Sequence, residues 1–395
     1  MSSSHISSSH RQPESPYRPR NPGHDYYGVG TYLITLVVSG REGLLSHLGE
    51  DAKHPEVHLT PLGEMVREVW NRIPSCAVPH GNQVVLHGCV CMPDHFHGVL
   101  EVLSPLTWCL GNIIQAFKSV CTTRWQQQLG MLPSRLRPIP EECYNEMAPV
   151  WLKERVGKYE TEGDLIRSLS TRQRQEYYLL VNREHRPLFD DNYDDTVCMD
   201  ARHLQSMIAY VEDNPRRAIL RRLLPDMMRR CLHLQIGGHS YGAFGNLFLL
   251  RWVNKVQVMC HRRHPVSGQP YETTSDYFRQ HEEWIQSILN GATVIVTPGI
   301  SPGEQRMKNE CLENGYPLIL IQKEPIGPYW KPERQRFEAC VRGALLILAP
   351  WGLDEMEDVD HIPAATDYSR FHNLNTLASE ICAFDGNAKI IKNAI

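Results

Sequence analysis

His95 and His97 stand one residue apart in Met92-Pro93-Asp94-His95-Phe96-His97, at the head of an apolar run that continues to Val102. Alternate side chains of a strand project to opposite faces, so this spacing puts both imidazoles on one face and Phe96, Leu100 and Val102 on the other. Neutral imidazole is the commonest metal ligand, and two on one strand can chelate a single divalent ion. The spacing equally suits two histidines of a half-exposed strand, and the chain has 19 histidines to distribute. A second segment supplies further chemistry. In Ala209-Tyr210-Val211-Glu212-Asp213-Asn214-Pro215, Leu204, Met207, Ile208 and Val211 keep the period of a helix beginning near Asp200, so Tyr210 lies beside an apolar stripe. Tyr210 and Asn214, four residues apart, share a face and offer a phenolic nucleophile and an amide oxygen to complete a metal site. Asn214-Pro215 also suits the cap of a following helix, with Pro215 ending the Tyr210 helix, and the two roles are compatible. Asp213 is a rival third ligand and Tyr193 a rival nucleophile, while Glu212 is expected to face solvent.

The elements that must position these groups follow from pattern. Tyr32 to Val38 reads as a strand. Thr60-Pro61 opens a helix carrying Leu62, Met65, Val66, Val69, Trp70 and Ile73, and Val84 to Met92 with His95 to Val102 forms a hairpin about Pro93-Asp94. A second amphipathic helix carries Leu110, Ile113, Ile114, Phe117 and Val120. Strand, helix, hairpin, helix is the core of a ferredoxin-like split βαβ unit with helices on one sheet face, which leaves the histidine face open for the Tyr210 helix.

The two motifs together resemble the signatures of the single-tyrosine HUH transposases, in particular the REP-associated tyrosine transposase branch. That family carries Met-Pro-Asn-His-hydrophobic-His and, downstream, Tyr-Ile-x-x-Asn-Pro. Leu110 to Ser119 resembles the family's helix after the histidine strand, and Asn192-Tyr193-Asp194-Asp195 the segment leading into its catalytic helix, so the resemblance spans roughly Tyr26 to Arg230. Asp94 stands where Asn is usual and Asp195 where His is common, and a charged insertion around residues 127–188 separates the two halves. The resemblance implies metal-dependent cleavage and joining of single-stranded or hairpin DNA. Tyr210 would form a 5′-phosphotyrosine, and His95, His97 and Asn214 would hold Mg²⁺ or Mn²⁺. A possible homodimer with exchanged helices and a monomer are both compatible with it.

A net charge of −4 does not by itself point to nucleic acid, so local clustering matters more. Arg216, Arg217, Arg221, Arg222, Arg229 and Arg230 follow the candidate nucleophile, and Lys118 and Arg124 lie on the helix after the histidines. Such a stripe could align a phosphate backbone, or simply form a solvated helical face. Twelve cysteines without a C-x-x-C pair argue for reduced thiols and a cytoplasmic setting, not for a disulfide framework. Cys89 and Cys91, just upstream of His95, raise a thiolate–zinc site as an alternative. No run reaches the length of a membrane span, and residues 1–25, poor in apolar side chains, read as a disordered tail without a secretory signal.

At 395 residues the chain is too long for one ordinary core. The expected class is α+β, with the histidine and tyrosine segments in residues 26–230 and an α/β domain in 231–395. In the latter, apolar runs at Lys255 to Cys260, Thr293 to Val296, Leu318 to Ile321 and Leu345 to Ala349 alternate with helical patterns from near Asp276, Gly303 and Glu333. This reads as a parallel, Rossmann-like sheet, faintly similar to DNA-processing protein A and the lysine-decarboxylase-like phosphoribohydrolases. The turn with Gly299, Ser301 and Gly303 could present backbone N–H groups to a nucleotide phosphate, or be a plain βα turn. Three classes of function are therefore in play: a single-strand DNA transposase, a DNA-binding regulator without chemistry, and a nucleotide-processing enzyme acting through the second domain.

Overall fold

The structure, a computed structural model, describes residues 23–77, 83–291, 293–353, 367–385 and 389–390; most of the expected N-terminal tail lies outside them. The chain is a mixed α and β protein that divides into two compact units after Ile219. The division falls inside helix α7 (Ala201–Leu223), upstream of the boundary expected at 230/231, because the helix continues without a break that composition could reveal.

The first unit is built on a sheet of β1 (Gly30–Val37), β4 (Val84–Cys91), β5 (His95–Val102) and β6 (Asp194–Val197), in the order β4-β5-β1-β6 with every neighbouring pair antiparallel. A small ribbon of β2 (Ser46–Leu48) and β3 (Val57–Leu59) precedes α1 (Pro61–Asn71). Thr60 caps α1 by accepting the Gly63 N–H at 3.1 Å, and α2 (Ile73–Ala77) follows. Helix α3 (Leu110–Gln128) runs after β5. One sheet face, with Tyr32, Ile34, Leu36, Phe96 and Leu100, buries against Val66, Val69 and Trp70 of α1 and Ile114, Phe117 and Cys121 of α3. Trp70 lies so close to β5 that a Cβ on Gly98 would come within 2.4 Å of its ring. The glycine after His97 therefore serves the opposite face of the strand.

The charged insertion is folded. Helices α4 (Val150–Val156), α5 (Glu162–Ser168) and α6 (Thr171–Leu180) enclose a core of Leu152, Val156, Leu165, Tyr177 and Val181. Within it the fully buried Glu162 accepts hydrogen bonds from Arg137 at 2.8 Å and the Tyr177 hydroxyl at 2.7 Å, which supplies the partners a buried charge requires.

In the second unit the described strands form one sheet, ordered β13-β7-β8-β12-β11-β10-β9. Strands β9 (Lys255–Gln257), β10 (Val294–Thr297), β11 (Leu318–Ile321) and β12 (Leu345–Pro350) are parallel, and α8 (Ser275–Leu289), α9 (Pro302–Asn314) and α10 (Arg334–Val341) connect them in turn. Every residue of β10, β11 and β12 is buried, as strands covered on both faces require. The sheet is not wholly parallel, however. β7 (Arg230–Ile236) and β8 (His239–Gly245) form a hairpin on β12, turned by Gly237-Gly238, with Gly237 left-handed at φ 58°. After α11 (Asp367–Ala383), β13 (Lys389–Ile390) pairs antiparallel with β7.

Candidate active site

The hairpin turn aims the histidines. Met92 N–H donates to the His95 carbonyl at 2.8 Å, and the Asp94 carbonyl accepts from Val38 N–H at 2.9 Å, tying the turn to the end of β1. The register then sets His95 opposite Val37 and His97 opposite Thr35. The two imidazole centroids lie 4.7 Å apart with the rings nearly perpendicular. Each ring is held through Nδ1: His97 by the Thr35 hydroxyl at 2.8 Å, His95 by the Asp94 carboxylate at 2.6 Å. Coordination by either ring therefore falls to Nε2, the arrangement in which an outer partner fixes a metal-binding imidazole. The Nε2 of His95 is buried with no hydrogen-bond partner among the described residues. Burial pushes the Asp94 carboxyl up, but the His95 hydrogen bond, the His95 charge and Arg41 at 3.3 Å together bring it below its ordinary range.

Helix α7 covers this face of the sheet. Asp200 accepts the His203 N–H at 2.8 Å at its start, and Leu204, Met207 and Val211 pack with Leu33, Val90 and Val99. That contact brings the Tyr210 ring to 5.5 Å from the His97 ring within one chain. Asn214, one turn on, is 3% exposed, and its Nδ2 has no hydrogen-bond partner among the described residues. Pro215 does not end the helix. It lies inside α7, where it cannot donate to the Val211 carbonyl.

The competing assignments separate by face. Tyr193 belongs to the core on the α1 and α3 side of the sheet, away from the imidazoles. Asp213 pairs with Arg216 at 3.3 Å, and Glu212 is exposed. Cys89 and Cys91 oppose Gly98 and Phe96 on the core face. Burial raises both thiols, Cys91 to about 12, so neither is a ready thiolate partner for His95. Among the described residues no group of three or more His, Cys, Asp and Glu side chains is placed to hold a metal, and a set of two imidazoles and one amide is not of that composition. The residues present nonetheless fit a cation. An unpaired buried imidazole nitrogen accepts one, and a buried amide can turn its oxygen to the cation or its nitrogen to an anionic ligand.

Register adds two residues to the site that local sequence did not place there. Thr35, the partner of His97, and Asp194, which register places opposite Thr35, lie in one row across β5, β1 and β6. Asp195 pairs with Ile34 on the other face and accepts a hydrogen bond from the Tyr26 hydroxyl at 2.9 Å.

The expected basic stripe is dispersed. Lys118 is 5% exposed and donates to the Asp191 carbonyl, so it is not a surface cation. Burial lowers its pKa to about 8 against the opposing pull of Asp191 and Asp190. Arg124 pairs with Glu68 at 3.3 Å. Arg217 is buried, with its guanidinium carbon 5.8 Å from the centroid of the Tyr210 ring. In the second unit Arg221 lies 5.6 Å over the Phe337 ring, and Arg222 is exposed.

The turn at Gly299, Ser301 and Gly303 is already filled from within. The Glu304 carboxylate accepts the N–H groups of Ile300 at 2.8 Å, Ser301 at 3.3 Å and Cys260 at 3.3 Å, and Ser301 Oγ accepts the Glu304 N–H. An internal anion thus occupies the place expected for a phosphate. Gly303 is small because a Cβ there would lie 2.9 Å from Cys260 Cβ, and Gly299 supplies a left-handed φ of 65°.

No family model matches the chain. It is similar to a protein of Haemophilus influenzae described as an uncharacterized protein, 22% identical over 192 residues that make up 49% of this chain and 83% of the relative. Among the described residues no helix is long and apolar enough to cross a membrane.

Proposed function

We propose that the first unit is a metal-dependent DNA strand transferase of the single-tyrosine HUH type, with a ferredoxin-like core, and that the second is a Rossmann-like α/β module. The observation that carries this reading is the packing of the Tyr210 ring on His97, in a site whose imidazoles are both anchored through Nδ1. The strand order β4-β5-β1-β6 with α1 and α3 on one face supports it, since this is the βαββαβ plan on which such a site is expected.

His95, His97 and Asn214 would hold Mg²⁺ or Mn²⁺, which when bound supplies neutralisation of charge on the phosphate oxygens. The Tyr210 oxygen attacks phosphorus in line. Its bond to phosphorus forms as the bond to the 3′ oxygen breaks, the phenolic proton is lost, and the 3′ oxygen takes up a proton to leave as a hydroxyl. A covalent phosphotyrosine keeps the linkage energy, so the same site can join a different 3′ end without a nucleotide cofactor. Packing against β5 restricts the phenol ring, and burial of the His97 imidazole beneath α7 strengthens the electrostatics of that side of the site.

The test is a denaturation-resistant adduct between the full chain and a labelled, hairpin-bearing single-stranded oligonucleotide in Mn²⁺, located by mass spectrometry. The adduct is expected with the wild type and with Tyr193→Phe, and is expected to vanish with Tyr210→Phe. An adduct that persists in Tyr210→Phe overturns the assignment.

A further inference from the structure

We infer that Asp94 is a positioning residue for the cation of this site: its carboxylate keeps the His95 proton on Nδ1 and so presents a bare Nε2 to a divalent ion. This rests on the reading of His95 as a metal ligand and names what prepares it. The turn places the carboxylate through backbone anchors alone, because the Pro93 carbonyl accepts the Leu45 N–H at 3.1 Å and the Asp94 carbonyl accepts the Val38 N–H at 2.9 Å. From there its two oxygens divide. One lies 2.6 Å from His95 Nδ1, and the other accepts from Arg41 at 3.3 Å. Arg41 reaches that contact from an uncommon backbone: with φ 53° it is the one non-glycine residue of positive φ among the described residues, and it follows Gly40 at φ 74°. Its N–H donates to the Val38 carbonyl at 2.8 Å, and the next residue, Glu42, pairs with Arg183 at 3.2 Å, so the loop is held on both sides.

Chemistry separates the two imidazoles. A hydroxyl both donates and accepts, so the Thr35 contact to His97 Nδ1 orients that ring without choosing its tautomer. An ionised carboxylate only accepts. A neutral His95 held by Asp94 therefore carries its proton on Nδ1. Its Nε2 lone pair, buried with no hydrogen-bond partner among the described residues, is left for a cation. An amide at position 94 would not decide the matter, since it can turn its oxygen or its nitrogen to the ring. The negative charge of the carboxylate also makes the ring a more basic ligand.

The ion alone is the probe. Binding of Mn²⁺ to the full chain is followed, without DNA, by the loss of the free-ion electron paramagnetic resonance signal. Asp94→Ala is expected to weaken binding about tenfold or more, the scale of losing a partner that orients a metal-bound imidazole, and Asp94→Asn to fall between it and the wild type. A second readout reports the tautomer with no metal present. In ¹⁵N-histidine spectra at about pH 8.5, where an ordinary imidazole is neutral, the His95 ring, assigned through His95→Gln, is expected to be protonated on Nδ1 in the wild type and to become a mixture of tautomers in Asp94→Ala. A carboxylate that only supports the turn would leave the tautomer as it was. Equal Mn²⁺ affinity in wild type and Asp94→Ala, or a wild-type His95 protonated on Nε2, overturns the inference while leaving both histidines as ligands. If Asp94→Ala does not fold, Asp94→Asn takes its place, and wild-type affinity in that variant is again decisive against it. A wild type that binds no Mn²⁺, or a His97→Ala variant that binds it equally well, defeats the underlying reading instead.

Discussion

Lys118 shows how a residue's type can mislead about its place. Its position on an amphipathic helix after the histidines suggests a cation for phosphate, yet the side chain is buried and donates to a backbone carbonyl. The ammonium is paid for in folding free energy, and the sign of its pH dependence follows from the lowered pKa of about 8. Below pH 8 both the folded and unfolded chain hold the proton, so the cost of burying the charge is fully present. Between about 8 and the unfolded value near 10.4 the unfolded chain binds more protons, and stability rises with pH. Above that both are neutral and the cost is gone. The span corresponds to about 3 kcal/mol at most. Urea denaturation of wild type and Lys118→Met from pH 7.5 to 10 is expected to show the wild type gaining about 2 kcal/mol relative to the variant; parallel curves would exclude a buried charge there. Tyr210, by contrast, was legible because helical period alone places it beside an apolar stripe, and Tyr193 separated from it only when β6 fixed which face it joins.

At the scale of elements, what could be read from the sequence was local and what could not was relational. The helix cap at Thr60, the hairpin at Pro93-Asp94 and the fully buried runs of β10 to β12 are patterns within a few residues. The row His97, Thr35, Asp194 depends on cross-strand register between segments far apart in sequence, which no periodicity contains. The Gly237-Gly238 hairpin has a local signal of its own, a glycine pair between two strand-forming runs, which interrupts the parallel alternation. The turn before α9 is the instructive case, because glycines there invite a phosphate whereas Ser301-x-x-Glu304 forms a capping box that supplies the anion from within. Glu304→Ala strands the Ile300, Ser301 and Cys260 N–H groups in a buried turn, and is expected to destabilise the protein by about 3 kcal/mol in denaturant titration. Inorganic phosphate is expected to leave the wild-type Tm unchanged in calorimetry. A clear upward shift would mean that the turn remains open to anions.

For the whole molecule, charge is the property that the sequence states and the structure redistributes. The net charge of −4 and the run of arginines after Tyr210 pull in opposite directions as long as every arginine is counted as available. Lys118 and Arg217 are buried, Arg124 and Arg216 form ion pairs with Glu68 and Asp213, and Arg221 lies against Phe337. Arg222 is exposed. Burial and pairing are invisible in composition, and so is a unit boundary that falls inside α7. The consequence is quantitative, because each phosphate neutralised on a single strand contributes about −0.7 to the slope of log K against log salt concentration. Were Lys118, Arg124, Arg216, Arg217, Arg221 and Arg222 all engaged with the backbone, the slope would be about −4. With Lys118 and Arg217 buried and Arg124 and Arg216 paired, fluorescence anisotropy of a labelled hairpin oligonucleotide in buffers of increasing salt is expected to give a slope no steeper than about −2. A slope near −4 would require Lys118 and Arg217 to leave their buried positions on binding DNA. In that case a bound-state rearrangement of α3 and α7, and not the fold described, would be the form of the protein that handles nucleic acid.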